Sequence, residues 1–419
     1  MSFSSMALSQ KLISLLSELG YLAPTPIQAQ AIPVILAGKD IMAGAQTGTG
    51  KTAAFALPIL QKLSDNLMTG SEAGDAVHPK PVQALILTPT RELALQVYQS
   101  FGKYGKDSGL DTAIVYGGVS IDAQADTLKA GVDILVATPG RLLDHLRRGS
   151  LTLKQLSFLV FDEADRMLDM GFKDEIDAIL RKVPAQRQTL LFSATFAPSV
   201  FALSKRLLRE PELIEVDKRN TVAAKVEQLV YAVDADRKSE LICHLAKSKQ
   251  WQQVLIFCRK KVGADQLAAK MSEAGIKAQA FHGDLSQAAR EKVLQQFKLG
   301  DIQVLVATDV AARGLDVEEL KVVVNYELPF IAEDYIHRIG RTGRAGNAGQ
   351  AITLYCEDDA LLLEEIEALL DARLPQQWLP GFEPDLTKLA PVARKNSKAA
   401  QRQRAKRRAS GGKKPGARR

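Results

Sequence analysis

Short apolar runs recur along the chain with helical stretches between them. They begin near residues 83 (QALILTP), 111 (DTAIVYGG), 133 (DILVATP), 158 (FLVFDEAD) and 189 (TLLFSAT), and a second set begins near 254 (VLIFCRK), 277 (KAQAFHG), 302 (IQVLVATD), 322 (VVVNYEL) and 351 (AITLYC). Within each run the apolar residues are consecutive rather than alternating, the pattern of strands covered on both faces in a parallel sheet. The chain is therefore expected to be α/β, with two successive open parallel sheets flanked by helices. Between the sets, LLREPELIEVDKRNTVAAKVEQLVYAV carries charges, a proline and no long amphipathic helix. This predicts a first domain over 1–208, a linker over 209–222 and a second domain over 223–373. A polar stretch at 65–81 predicts a surface loop inside the first domain. Beyond 373 the pattern decays through QQWLPGFEPDL into a Lys- and Arg-rich low-complexity segment, so 374–419 is expected to be a disordered basic tail.

Composition agrees with two globular domains. A chain of 419 residues is long for one core, and 46% hydrophobic with 25% charged residues is ordinary for a water-soluble fold. No run of about 18 apolar residues offers a membrane span, and the N-terminal MSFSSMALSQKL lacks the basic, apolar and small-residue zones of a secretory signal. A cytoplasmic protein without a membrane role is expected. Cys243, Cys258 and Cys356 have no metal-ligand spacing and are expected to pack as small apolar residues, without disulfide or zinc. The net charge of +7 is unevenly spread. Of 55 Lys and Arg, 13 lie in 386–419, where there is no acid, leaving 42 against 48 acidic residues. Such a segment suits a polyanion, and equally suits a merely solubilising end.

The segment Ala45-Gln46-Thr47-Gly48-Thr49-Gly50-Lys51-Thr52 stands before the helix-forming AAFALPIL and has the form of a phosphate-binding loop. Its glycines let backbone N–H groups face a phosphate, Lys51 reaches the β/γ-phosphates, and the Thr52 hydroxyl can ligate Mg²⁺. Its first position is Ala45 where the usual pattern has Gly. Further on, the apolar run at 158–161 ends in Asp162-Glu163-Ala164-Asp165. Acids at the C-terminal end of a buried strand lie where ligands bind in such sheets. Asp162 is placed to hold Mg²⁺ through water, and Glu163 to orient or deprotonate the water that attacks the γ-phosphate. Alone, these acids would suit the first turn of a helix; the phosphate loop tips the reading towards catalysis.

With these segments the sequence resembles the DEAD-box family of superfamily 2 helicases, whose four letters stand at 162–165. Phe3 and Gly20-Tyr21 with Pro24-Thr25-Pro26-Ile27-Gln28 resemble the Q motif, which implies that Gln28 reads adenine and that an aromatic such as Tyr21 lies beside the base. Pro89-Thr90-Arg91, Gly117-Gly118 and Thr138-Pro139-Gly140-Arg141 resemble the RNA-contacting motifs of the first domain, and Ser193-Ala194-Thr195 the motif coupling hydrolysis to unwinding. In the second domain Arg259, the segment Thr308 to Asp316, and His337-Arg338-Ile339-Gly340-Arg341-Thr342-Gly343-Arg344 match the remaining motifs. The resemblance covers about 3–360 and is closest to compact bacterial members of the RhlE-like group.

The resemblance implies two tandem RecA-like domains, ATP and Mg²⁺ as ligands, and RNA held through its backbone with little sequence preference. It implies phosphate-stabilising roles for Arg341 and Arg344, RNA contacts for Arg259 and Thr308, a nucleotide contact for Asp316, and coupling roles for Ser193, Ala194, Thr195 and His337. Because these arginines and Lys51 belong to different domains, catalysis is expected to need both. The expected activity is local, non-processive unwinding of short RNA duplexes and RNA–protein remodelling, coupled to RNA-stimulated ATP hydrolysis. An ATP-gated RNA clamp or annealing factor would carry the same motifs; a DNA helicase fits the Q motif and the DEAD letters poorly. Protein partners in ribosome assembly or RNA decay are compatible with the family, and the sequence identifies none.

Overall fold

The computed structural model describes residues 2–45, 48–69, 80–216, 226–312, 315, 317, 320–343 and 349–385. The chain divides into two compact units, Met1–Lys218 and Arg219–Arg419. The first contains β1 (Ile41–Gly44), β2 (Ala84–Leu87), β3 (Thr112–Val115), β4 (Ile134–Ala137), β5 (Phe158–Phe161), β6 (Gln188–Ser193) and β7 (Glu212–Glu215). They form one sheet in the order β3-β4-β2-β5-β6-β1-β7, with every neighbouring pair parallel. The second contains β8 (Val226–Ala232), β9 (Val254–Cys258), β10 (Ala278–Phe281), β11 (Val304–Thr308), β12 (Val322–Asn325), β13 (Gly349–Tyr355) and β14 (Gln376–Gln377). Its order, β10-β11-β9-β12-β13-β8-β14, repeats the first strand for strand, again all parallel. This is the expected tandem RecA-like architecture.

Each sheet separates two bodies of core, which is why its strands read as unbroken apolar runs. In β2, Ala84 and Ile86 join one core while Leu85 and Leu87 join the other. The same split divides Phe158 and Val160 from Leu159 and Phe161 in β5. In β9, Val254, Ile256 and Cys258 face one core, and Leu255 and Phe257 the other. Successive side chains point to opposite faces, and helices cover both.

All ten predicted runs are strands, and four further strands appear among the described residues. β1 is only IMAG. β7 lies inside the segment read as linker: Ile214 is buried and pairs with Ala43 of β1, so the first unit's sheet extends to Glu215. β8 begins just beyond that segment. β14 lies past the boundary drawn at 373, where Leu374 is buried, Leu379 and Phe382 pack on the second unit's core, and Arg237 stacks 5.1 Å over Phe382. The polar stretch at 65–81 begins as helix, because Lys51–Thr69 continues to its end. Residues 70–79 of that stretch, 217–222 of the predicted linker and 386–419 of the predicted tail lie outside the described residues. Among the described residues, no helix is long and apolar enough to cross a membrane.

Candidate functional site

In the first unit the phosphate-loop segment leaves β1 and leads into the helix Lys51–Thr69. Ala45 is buried, and its N–H donates to the Ser193 carbonyl at 3.0 Å, fixing the loop to the end of β6. Gln46 and Thr47 lie outside the described residues. Gly48 and Gly50 have φ of +79° and +90°. At Gly50 the conformation is reinforced by crowding, because a Cβ there would lie 2.4 Å from Gln28 Nε2. Gln28 is itself 1% exposed. Its Oε1 accepts from Thr25 N at 2.9 Å, capping the helix Pro26–Leu36, and its Nε2 donates to Gly50 O at 3.1 Å. The glutamine expected to read adenine therefore also braces the phosphate loop. Tyr21 makes a separate cluster: its hydroxyl meets that of Tyr104 at 2.8 Å, and Lys103 Nζ lies 5.5 Å over its ring.

Asp162 follows β5, where its N–H donates to Leu87 O at 2.9 Å and extends the ladder by one residue. It is 2% exposed, and Oδ1 has no hydrogen-bond partner among the described residues. Lys51 Nζ is in the same condition. Burial pushes the Asp162 carboxyl up to about 6, against the downward pull of Lys51. A buried ammonium without a hydrogen-bond partner among the described residues and a buried carboxylate with one oxygen left unbonded cost stability unless a ligand satisfies them. That set suits a phosphate at Lys51 and a divalent cation at Asp162, with the Thr52 hydroxyl in the first helical turn as a further oxygen donor.

The raised value has a consequence for stability. An acid whose pKa rises on folding holds its proton more tightly in the folded state, so the penalty is present above about pH 6 and relieved as pH falls towards 3.8. Asp162→Asn should therefore raise the unfolding free energy of the ligand-free protein at neutral pH, by about 3 kcal/mol at most from two pKa units. The gain should shrink between about pH 6 and 4, while ATP turnover is lost. An unfolding series against pH checks this; a variant no more stable than wild type at neutral pH would contradict it.

Glu163 caps the helix Ala164–Asp169 with φ 57° and ψ 55°, a left-handed conformation that a non-glycine residue adopts at a cost of about 1 kcal/mol or more. The next acid, Asp165, is bound on both oxygens. Oδ1 accepts from Arg166 N at 2.9 Å, and Oδ2 accepts from Thr195 N at 3.0 Å and Thr195 Oγ1 at 3.1 Å. Ser193 Oγ donates to Thr195 O at 2.8 Å. Residues 162–165, the segment Ser193-Ala194-Thr195 and Ala45 are thus joined by short direct bonds. Sequence reasoning passed over Asp165, although its signal was in view as the last letter of the acidic motif. It also passed over Phe196, which covers Gly44 so closely that a Cβ there would lie 2.6 Å from the ring.

The three other motifs of this unit follow β2, β3 and β4, which are neighbours in the sheet. Pro89 and Thr90 follow β2, and Thr90 caps Arg91–Tyr104 by accepting from Leu93 N at 3.2 Å. Thr138 precedes the helix Pro139–Arg148, with Pro139 at its start and Gly140 in its first turn. The Arg91 guanidinium lies on Gly118, whose φ is +90°; a Cβ at that glycine would be 2.2 Å from Nη1, and one at Gly117 3.8 Å from Nη2. Arg141 donates through Nη2 to Val119 O at 3.0 Å. Burial, with Arg91 and Arg148 nearby, lowers its pKa against the opposing pull of Asp144. The structure therefore gathers Arg91, Gly117, Gly118 and Arg141 into one basic cluster beside two helix N-termini, a setting suited to phosphates.

The second unit is arranged differently. Arg259, after β9, is engaged internally: its N–H donates to Glu327 Oε2 at 2.7 Å, Nη2 lies 3.4 Å from Asp359, and the guanidinium stacks 4.9 Å over Phe330. With Nε 3.5 Å from Glu327 Oε1, two carboxylates and a ring hold the side chain expected to face RNA. Arg338 is buried, forms a bidentate pair with Asp309 at 2.6 and 2.7 Å, and donates to Asn325 and to the Glu327 carbonyl. Arg341 is also buried and donates to Leu315 O at 2.8 Å. Thr308 ends β11, and His337 Nδ1 lies 3.9 Å from Asp334. Asp316 and Arg344 lie outside the described residues.

Comparison with known proteins gives the family. The model described as DEAD/DEAH box helicase matches residues 25–203, and that described as helicase conserved C-terminal domain matches 237–346. The chain is 41% identical over 383 residues to the ATP-dependent RNA helicase DeaD of Escherichia coli strain K12, covering 91% of this chain and 59% of that one. It is 43% identical to the RNA helicase CrhR of Synechocystis, covering 91% and 75%, and 41% identical to the ATP-dependent RNA helicase RhlB of Xanthomonas oryzae, covering 94% and 68%. Against DeaD, this chain spans about three fifths of the relative's length. Among solved structures, Saccharomyces cerevisiae Dbp5 bound to RNA and ADP BeF3 aligns over 97% of this chain and 99% of its own, with TM-score 0.77 and 27% identity.

Proposed function

The chain belongs to the DEAD/DEAH box helicase family, and on that premise we propose that it is an ATP-dependent RNA helicase. It opens short RNA duplexes locally, without processive translocation, and remodels RNA–protein complexes, with ATP hydrolysis stimulated by RNA. The observation that carries the reading is the pair of buried charges at Lys51 and Asp162, whose Nζ and Oδ1 have no partner among the described residues, set beside the strained Glu163.

In this reading Lys51 and the N-terminus of Lys51–Thr69 bind the ATP phosphates. Glu163 takes up the proton of the attacking water. Thr52 and Asp162 would hold Mg²⁺, which when bound offsets charge on the phosphate oxygens. Gln28 passes occupancy of the nucleotide site to Gly50, and Asp165 passes it to Thr195. Arg91 and Arg141, with the helix N-termini after Thr90 and Thr138, hold the RNA backbone, which accounts for weak sequence preference. Arg341 and Arg344 are the proposed phosphate-stabilising arginines, and the basic segment 386–419 adds an electrostatic hold on RNA.

The test is strand displacement on a short RNA duplex with ATP, beside ATPase assays with RNA and DNA of equal length. Displacement, with stimulation by RNA and little by DNA, is expected. ATP-dependent binding that left the duplex intact would favour a clamp or annealing role, and equal stimulation by DNA would overturn the RNA assignment.

A further inference from the structure

We infer that Gln124 is a positioning residue for RNA binding: its side-chain amide holds Arg141 and the glycine loop in one geometry while leaving the arginine's charge uncancelled. The inference rests on the RNA reading above. Gln124 lies one turn into the helix Ile121–Lys129, which Ser120 caps after β3 and Gly117-Gly118. Its Nε2 donates to Tyr116 O at 3.1 Å. Its Oε1 accepts from Arg141 Nη1 at 2.8 Å and lies 3.2 Å from His145 Nε2. One amide thereby ties the loop after β3 to two residues of the helix after β4. Arg141 completes the clasp through Nη2 to Val119 O, and Arg91 rests on Gly118.

The protonation states of the cluster are fixed by its partners. His145 is fully buried, and burial together with Arg141 and Arg148 lowers its pKa, so the ring is neutral at neutral pH. Because the Gln124 Oε1 can only accept, His145 Nε2 carries the proton. The amide oxygen thus receives two N–H groups while its own NH₂ serves the loop carbonyl.

A neutral acceptor matters here. A carboxylate at this position would bind Arg141 more strongly, as a charge-assisted pair, and would offset the positive charge that an RNA phosphate needs. An amide orients the guanidinium without pairing its charge. Charge is retained and geometry is fixed by the same side chain.

Two variants separate this role from packing. Gln124→Ala removes all three bonds and should raise the RNA concentration for half-maximal ATPase by about tenfold, the worth of one hydrogen bond to a charged group. Gln124→Glu keeps the shape and both acceptor contacts but loses the donation to Tyr116 O and pairs its charge with Arg141. It should also weaken RNA binding, and should reduce the slope of log affinity against log salt by about 0.7, the loss of one phosphate contact on a single strand. Affinity for a fluorescent ATP analogue without RNA, and kcat at saturating RNA, should stay at wild-type values in both. If Gln124 served packing alone, the Glu variant would keep wild-type RNA affinity and salt slope, and that result would overturn the inference. A wild-type protein whose ATPase does not respond to RNA would instead remove the RNA reading itself.

Discussion

Glu163→Gln should hold the protein on RNA whenever ATP is present. The substitution is isosteric, leaves Lys51 and Asp162 in place, and removes the carboxylate charge together with the ability to accept a proton from water. ATP and RNA should therefore still bind and favour one another, since each adds contacts to the same ligand-bound state. Hydrolysis, which ends that state, should slow by about 10²–10⁴-fold, the usual contribution of a general base. Glu163 already sits in a left-handed conformation, and glutamine bears the same backbone cost, so the substitution adds no backbone strain. Turnover and the release of a labelled RNA are the two readouts. Slow turnover with slow release is expected; release as fast as wild type in ATP would remove Glu163 from the proton-transfer role.

The sequence revealed most of the fold because its strands are buried on both faces. Runs such as Ala84–Leu87 and Phe158–Phe161 have no polar position to obscure them. The strands it concealed lack that signature. β1 is four residues long and ends in the glycine that makes room for Phe196. β7 exposes Glu212, Leu213 and Glu215 and buries only Ile214, so it reads as linker until β1 is there to pair with it. β14 has two exposed glutamines and is recognisable only beside β8. The site divides along the same line. Motif residues with a chemical signature, such as Lys51, Asp162 and Glu163, stand out by type and spacing. Residues whose role lies in their partners do not. Nothing in the spacing of Gln124 and Arg141 announces their bond, and nothing local to Arg259 or Arg341 foretells Glu327, Asp359 or the Leu315 carbonyl as partners.

Lys51→Ala should abolish ATP turnover and leave the fold as stable as before, or more so. The lysine is 6% exposed and its ammonium has no hydrogen-bond partner among the described residues, so in the ligand-free protein it is a desolvated charge whose removal sacrifices no bond. Its attraction for Asp162 is lost, which moves the carboxyl pKa further upward from about 6 and makes its protonation easier at neutral pH. A second buried charge is thereby partly neutralised, and the two effects offset in stability. With ATP the balance reverses. In the proposed function the ammonium is then the charge facing the β/γ-phosphates, and losing a hydrogen bond to a charged group should weaken binding by about 10–100-fold. Loss of stabilisation of the developing phosphate charge should lower kcat by a further 10²–10³-fold or so. The two measurements are the unfolding midpoint without ligand and ATP hydrolysis at saturating RNA. A variant that unfolded earlier than wild type would make Lys51 a structural residue, and one that kept its turnover would place the phosphates elsewhere; a stable, inactive protein follows only if this buried ammonium is held ready for an anion.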